Sequence, residues 1–307
     1  MSSVHHQIQD STIIVTPLTQ RVGAEIKGVH LSGNLSPEIF KVIYDALLEH
    51  KVIFFRGQNH LNQVEQEQFA TLFGKPLSHP TVPVASNSKH IFELNSKHGG
   101  RANVWHTDIT FIDRYPKLSI LRAVIVPETG GDTTWANTET AYEELPVPLQ
   151  ALAEALKGIH SNDFDYGGFT PNANQEALDK YKNVFASTIY EAEHPVVRVH
   201  PDTGRKSLVL GQFLKRFVGL TNKESNKVFE IFQDHVTRPE NTVRWKWQVG
   251  DIAIWDNRAT QHLAVNDYLD AHRVMHRVTV EGEVPLSVHG ERSQQIKPYT
   301  QQQAPAA

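Results

Sequence analysis

In the run VWHTDITF, residues 104 to 111, a histidine and an aspartate stand two positions apart among apolar residues and threonines. Read as a buried strand, the run points His106 and Asp108 to one face and Trp105, Thr107 and Ile109 to the other. That face offers an imidazole nitrogen and a carboxylate side by side, a donor pair for one metal ion. By itself an H-x-D spacing is common, and a hydrogen-bonded His–Asp couple accounts for it without any metal.

Far downstream, in DIAIWDNRATQHLAVNDYLDAHRVMHRVTVEG, His262 follows an apolar strand and a polar turn. Eleven residues on comes Arg273, and four after that Arg277. If RVMHRVTV is a strand, Arg273, Met275 and Arg277 share a face, with the two arginine Cα atoms roughly 13 Å apart. Guanidiniums at that spacing suit two separate anions, since each fork captures a carboxylate, sulfate or phosphate bidentately. A solvated strand face is the alternative, and alternation with Val274, His276 and Val278 does not say which side is inside. In VPETGGDTTWANT the pair Gly130-Gly131 makes a tight turn, and Thr133 carries a hydroxyl into the next strand; by itself this is only a turn.

Two histidines and one carboxylate make up the facial triad of non-heme Fe(II) oxygenases, which leaves open positions on one side of the metal. Those positions take a bidentate 2-oxo acid and then O2. Zinc is the rival metal for such a set, but a zinc hydrolase has no need of two further anion clamps at this spacing. The sequence has no cysteine, which excludes disulfides, thiolate nucleophiles, Cys-ligated zinc and iron–sulfur clusters. Any metal must therefore be held by nitrogen and oxygen, and 17 histidines with 34 acidic residues supply such ligands.

These side chains need a frame. Ser36-Pro37 reads as an N-cap followed by proline at the first helical position, with Ile39, Val42, Ile43, Ala46 and Leu47 at helical spacing after it. VIFF (52–55) is a short buried strand, and a second helix is expected from Asn62 to Phe73, where Gly74 stops it. From residue 90 onward short strands alternate with Gly and Pro: KLSILRAVIV, a hairpin of HPVVRVH and KSLVLG around PDTG, TVRWKWQ, DIAIW and HRVMHRVTVEG. Thr221 and Glu224 form a capping box for one intervening helix, and another lies between Pro146 and Leu156. The loop 160–195 is too long and polar to be core, and the expectation is a lid that orders on substrate binding.

Length and composition bound the rest. The 307 residues are enough for a sizeable core. A net charge of −4 argues against a nucleic-acid partner. No apolar run approaches the roughly 20 residues needed to span a bilayer, and the N-terminus is not a secretory signal, so the expectation is a cytoplasmic protein with no membrane partner. Many short strands with decorating helices predict a mainly β fold, an antiparallel sandwich or barrel in one domain over 11–287. Residues 1–10 and 288–307 are expected to be disordered tails.

The chain resembles the Fe(II)/2-oxoglutarate dioxygenases of the taurine dioxygenase type. WHTD, the distal histidine of IWDNRATQH, the arginines eleven and fifteen residues after it, GGDT, HPVVR and VRWKWQVGDIAIWDNR carry the likeness between residues 13 and 286. Within that family WHTDITFIDRYPKLSILRAV, WANTETAY and HSNDFDY are most similar to the bacterial alkylsulfatases of the dioxygenase type, enzymes of sulfur metabolism. The resemblance implies a double-stranded β-helix (jelly roll), commonly a homodimer or homotetramer. It implies Fe(II) on His106, Asp108 and His262. Thr133 and Arg273 would bind the distal carboxylate of 2-oxoglutarate, with Arg277 near its other end, and O2 is the second cosubstrate. Arg277 and His79, helped by main chain at Ile109, would grip the sulfate or sulfonate of a small anionic organosulfur substrate.

Two departures bear on that substrate. Where taurine dioxygenase has a tyrosine three residues beyond the histidine matching His79, this chain has Val82. Where it has an asparagine four residues before the histidine matching His106, this chain has Ala102. Both changes remove polar partners for an amine and leave apolar volume, in which burial of an alkyl tail gains about 25 cal/mol per Å². The implied substrate is a medium-chain alkyl sulfate, hydroxylated at the carbon bearing the sulfate. A sulfonate such as taurine, releasing sulfite, and a carboxylate such as an aryloxyalkanoate are the alternatives.

Overall fold

The computed structural model describes residues 2–8, 11–98, 102–163 and 181–298. Among these, a large sheet runs in the order Val4–Ile8, Ser11–Pro17, Ala24–Lys27, Val52–Phe55, Ile252–Asp256, Leu118–Ile125, Val274–Val280 and Pro76–Leu77, with Phe92–Asn95 also pairing on Val274–Val280. All of its pairings are antiparallel except that of Ala24–Lys27 with Val52–Phe55. A smaller antiparallel sheet of Thr242–Trp245, Thr133–Asn137 and Thr260–Ala264 faces it. The result is the mainly β jelly roll that the sequence predicts.

Strand periodicity explains the layering. Phe54, Leu121, Ala123, Ala253, Trp255 and Met275 point inward and meet Trp135, Val243 and Trp245 of the smaller sheet. Their neighbours Ile53, Phe55, Leu118, Ile120, Ile252, Ile254, Val278 and Val280 point the other way and are covered by helices Pro37–His50 and Gln63–Thr71 through Ile43, Leu47, Phe69 and Ala70. Both faces of the central strands Val52–Phe55, Ile252–Asp256 and Val274–Val280 are therefore buried. That is why VIFF reads as a continuous apolar run rather than an alternating one. On Val274–Val280 the inner face carries Met275 and, one pleat on, Arg277, so the arginine face is interior and not solvated.

The predicted caps at Ser36 and at Thr221–Glu224 hold, and Asn62–Glu65 adds a box that the sequence reading did not single out. Ser36 accepts from the Ile39 amide with Pro37 at the first position, and the boxes Asn62–Glu65 and Thr221–Glu224 close the N-termini of Gln63–Thr71 and Asn222–Val236. The helix between Pro146 and Leu156 is Val147–Ala155. No described helix is long and apolar enough to cross a membrane.

Four expectations need correction or restriction. VWHTDITF is not a strand: His106 makes an isolated bridge and the chain turns from Asp108 onward. The expected tail at 1–10 contains a strand, Val4–Ile8, paired along its length with Val15 to Ser11; its polar sequence reflects the exposed edge of the sheet. The expected tail at 288–307 contains Gln294–Lys297, paired with Glu191–Pro195, while residues 299–307 lie outside the described residues. The loop 160–195 begins and ends in buried strands, Lys157–Ser161 and Glu191–Pro195, whose histidines bond inward, His160 Nδ1 with Thr110 Oγ1 and His194 with Ser293 and Thr110. Most of the expected lid, residues 164–180, lies outside the described residues.

Candidate metal centre

His262 sits in the strand Thr260–Ala264, and His106 is bound to it backbone to backbone: each donates its amide N–H to the other's carbonyl, at 3.0 and 2.8 Å. Thr107 Oγ1 reinforces the bridge by donating to the Thr260 carbonyl at 2.6 Å. The turn after His106 then brings Asp108 back, so that one ligand atom from each of His106, Asp108 and His262 lies within 4.8 Å of the others, all three residues buried. Asp108 Oδ1 is 3.8 Å from Nε2 of each histidine.

The ring orientations have causes. His106 Nδ1 lies 2.8 Å from the Val104 carbonyl. A carbonyl only accepts, so Nδ1 carries the proton and Nε2 presents its lone pair to Asp108's side. The His262 ring is packed between Trp255 and Trp135, with centroids 4.7 and 6.5 Å away. Asp108 Oδ2 accepts from Ser119 Oγ at 2.7 Å, Ser119 accepts from Asn257 Nδ2 at 3.0 Å, and Asn257 Oδ1 accepts from the Trp255 indole at 2.8 Å. Arg277 Nη1 donates to Asp108 Oδ1.

Burial favours the neutral carboxyl of Asp108, yet Arg277, His262, His106 and the Ser119 hydrogen bond outweigh it and hold the group down to about 2. Burial likewise lowers the pKa values of both histidines. The donor set is thus two neutral imidazoles and one carboxylate, in the protonation states that a borderline divalent metal requires. These residues fit a facial-triad metal.

A second buried guanidinium is that of Arg273. It donates from Nε to the Gly131 carbonyl at 3.0 Å and from Nη2 to Thr133 Oγ1 at 3.4 Å. Gly131 has φ +73°, and a Cβ there would meet Arg273 Cδ at 3.2 Å; glycine lets the guanidinium stem pass. Thr133 Oγ1 also accepts from the Trp247 indole at 2.9 Å. No acidic side chain pairs with Arg273 among the described residues.

His79 completes the surroundings. Its Nδ1 accepts from the amides of Val82 and Thr81 at 3.1 and 3.3 Å, which places its proton on Nε2. Burial, then Arg277, holds its pKa down to about 3, so the ring is a neutral donor. Phe92, Phe111 and Phe185 surround it at centroid distances of 5.7, 6.0 and 5.2 Å. Ile109, with φ +57°, packs in a cluster with Phe111, Phe213, Phe185 and Tyr190. Val82 and Ala102 are half-buried.

His106, Asp108, His262, Arg277 and His79 therefore lie together, and Arg273 pairs with Thr133, whose strand is laddered to the one carrying His262 and Ala264. Sequence reasoning missed Ser119, Asn257 and Trp247. A lone serine inside the apolar strand KLSILRAVIV was the one available signal.

The family model described as "Taurine catabolism dioxygenase TauD, TfdA family" matches residues 14–279. An alkylsulfatase of Acinetobacter baylyi is 62% identical over 273 residues, covering 89% of this chain and 86% of that one. An alpha-ketoglutarate-dependent sulfate ester dioxygenase of Pseudomonas putida is 53% identical over 279 residues, 91% and 93% of the two chains. The crystal structure of a taurine dioxygenase from Burkholderia xenovorans superimposes with a TM-score of 0.79 at 39% identity, covering 94% of this chain and 95% of that one.

Proposed function

This chain belongs to the TauD/TfdA dioxygenase family, and from that premise we propose that it hydroxylates the sulfate-bearing carbon of a medium-chain alkyl sulfate, releasing an aldehyde and inorganic sulfate. Fe(II), 2-oxoglutarate and O2 are the family's cofactor and cosubstrates. The balance per turnover is R–CH2–OSO3⁻, 2-oxoglutarate and O2 to R–CHO, sulfate, succinate, CO2 and a proton. The observation that carries the reading is one buried region holding the His106–Asp108–His262 set beside two guanidiniums, Arg273 and Arg277, with a neutral imidazole and an aromatic wall next to them.

Bound Fe(II) would supply the oxidation, coupling decarboxylation of 2-oxoglutarate to insertion of one oxygen atom into the C–H bond. His106, Asp108 and His262 would hold it. Arg273 and Thr133 take the distal carboxylate of 2-oxoglutarate; because Thr133 Oγ1 accepts from Trp247, its own proton is left to donate. Arg277 lies toward the other end, and with the Nε2–H of His79 and the main chain at Ile109 it grips the sulfate. Phe111, Phe185 and Phe213 receive the alkyl chain and keep water from the reacting carbon. A cytoplasmic homodimer or homotetramer is the accompanying reading, supported by the family likeness.

The test is a panel of an alkyl sulfate, taurine and an aryloxyacetate, assayed for sulfate, sulfite and succinate. Sulfate and succinate should appear in equal amounts from the alkyl sulfate, and only with O2 and 2-oxoglutarate. Sulfite from taurine as the dominant product would give the sulfonate reading, and anaerobic release of sulfate would give a hydrolase.

A further inference from the structure

The turn that follows His106 carries Asp108 and Ile109, and no sheet ladder holds it. Ile109 is β-branched with φ +57°, a conformation such residues avoid unless the surroundings impose it. What imposes it comes from two other strands and from the segment near residue 293. Thr110, fully buried, has its carbonyl 2.7 Å from His194 Nε2 and its hydroxyl 2.9 Å from His160 Nδ1. Gln295 Oε1 accepts from the Asp113 amide at 2.9 Å, and its Nε2 donates to the Phe111 carbonyl at 3.3 Å and the Glu191 carbonyl at 2.9 Å.

The tautomer of His194 follows from its partners. A carbonyl only accepts, so Nε2 carries the proton and donates to Thr110. Nδ1 is then an acceptor, and its partner at 2.7 Å is Ser293 Oγ, which must donate. Ser293, His194 and Thr110 thus form one directed chain, and all three are buried.

We propose that His194 and Ser293 are positioning residues for the reaction: through the Thr110 carbonyl they hold Ile109 in its left-handed conformation, and so aim the Ile109 main chain at the sulfate group. The inference rests on the alkyl sulfate reading for its ligand. A ring that lost the Ser293 hydroxyl would keep its proton on Nε2 but lose the bond that fixes its orientation, so the donor to the Thr110 carbonyl would no longer be held in place.

The experiment compares wild type with Ser293→Ala, His194→Phe and His194→Gln, the last keeping a donor within reach of Thr110. Binding of hexyl sulfate to the Fe(II)- and 2-oxoglutarate-loaded protein is measured anaerobically by calorimetry, beside KM for each substrate, iron content and melting temperature. Ser293→Ala and His194→Phe should weaken hexyl sulfate binding about tenfold or more, with iron content and the KM for 2-oxoglutarate unchanged, and His194→Gln should recover most of the loss. Unchanged hexyl sulfate binding in a folded Ser293→Ala overturns the inference, as does a parallel loss of iron and 2-oxoglutarate affinity. If His194→Phe does not fold, Ser293→Ala decides. Failure of wild type itself to bind hexyl sulfate would sink the functional reading instead, so the two failures are separable.

Discussion

His106 and His262 exchange both of their backbone hydrogen bonds across an isolated antiparallel bridge, so two candidate metal ligands from distant parts of the chain are locked together through the main chain. Their side chains do no structural work in that bridge. His106→Ala and His262→Ala should therefore keep the bridge and fold, with lowered melting temperatures because each removes a buried ring, and fail to retain iron. Elemental analysis after gel filtration checks this; a variant that keeps stoichiometric iron would remove that residue from the ligand set.

Arg277 and Asp108 are a buried ion pair, and deleting the cation leaves a carboxylate stranded. Arg277→Met should destabilise the metal-free protein by about 3–5 kcal/mol. Anaerobic Fe(II) should restore most of that, because the metal supplies the missing positive charge. Calorimetric melting with and without metal measures both halves of the effect.

Arg273 has no acidic partner among the described residues and is held by neutral oxygens. Arg273→Ala should raise the KM for 2-oxoglutarate by about 10- to 150-fold, the equivalent of about 1.5–3 kcal/mol for charge-assisted hydrogen bonds. The KM for the sulfate ester should move much less. Initial rates with one substrate varied at a time separate the two.

The aromatic wall predicts a dependence on chain length. Each added methylene of a linear alkyl sulfate should improve kcat/KM about fourfold, from about 0.8 kcal/mol per buried CH2, until the wall is filled. Phe185→Ala should flatten that series, since Phe185 is half-buried and packs on both Phe111 and Phe213.

Burial holds His194 down to about 4, against about 6.5 in the unfolded chain. Below pH 6.5 the unfolded state takes up a proton that the native state refuses, so this contribution is fully present above pH 6.5 and is lost as pH falls toward 4. The slope is about 1.4 kcal/mol per pH unit for each such histidine. His194→Gln should make the urea midpoint less acid-sensitive between these values, by about one proton.

Much of this was legible locally. Ser36-Pro37 and the Thr221–Glu224 box announce their helices because a cap is a short-range hydrogen bond. The face of Arg273 and Arg277 was not legible, because both sides of the strand Val274–Val280 are buried and alternation cannot say which one is inside. VWHTDITF looked extended because β-branched residues favour strands; the positive φ of Ile109 is imposed by His160, His194 and Gln295, all far away in sequence. The polar run around Ser293 gave no hint that Ser293 is buried against His194.

The link from Asp113 to Gln295 spans 182 residues, and that of His194 to Ser293 spans 99. A growing chain releases Asp108 early, but the turn that aims it cannot lock until residue 295 has left the ribosome. The Asp108 turn should thus gain its full set of hydrogen bonds late in folding, after the long-range contacts of residues 293 and 295 have formed.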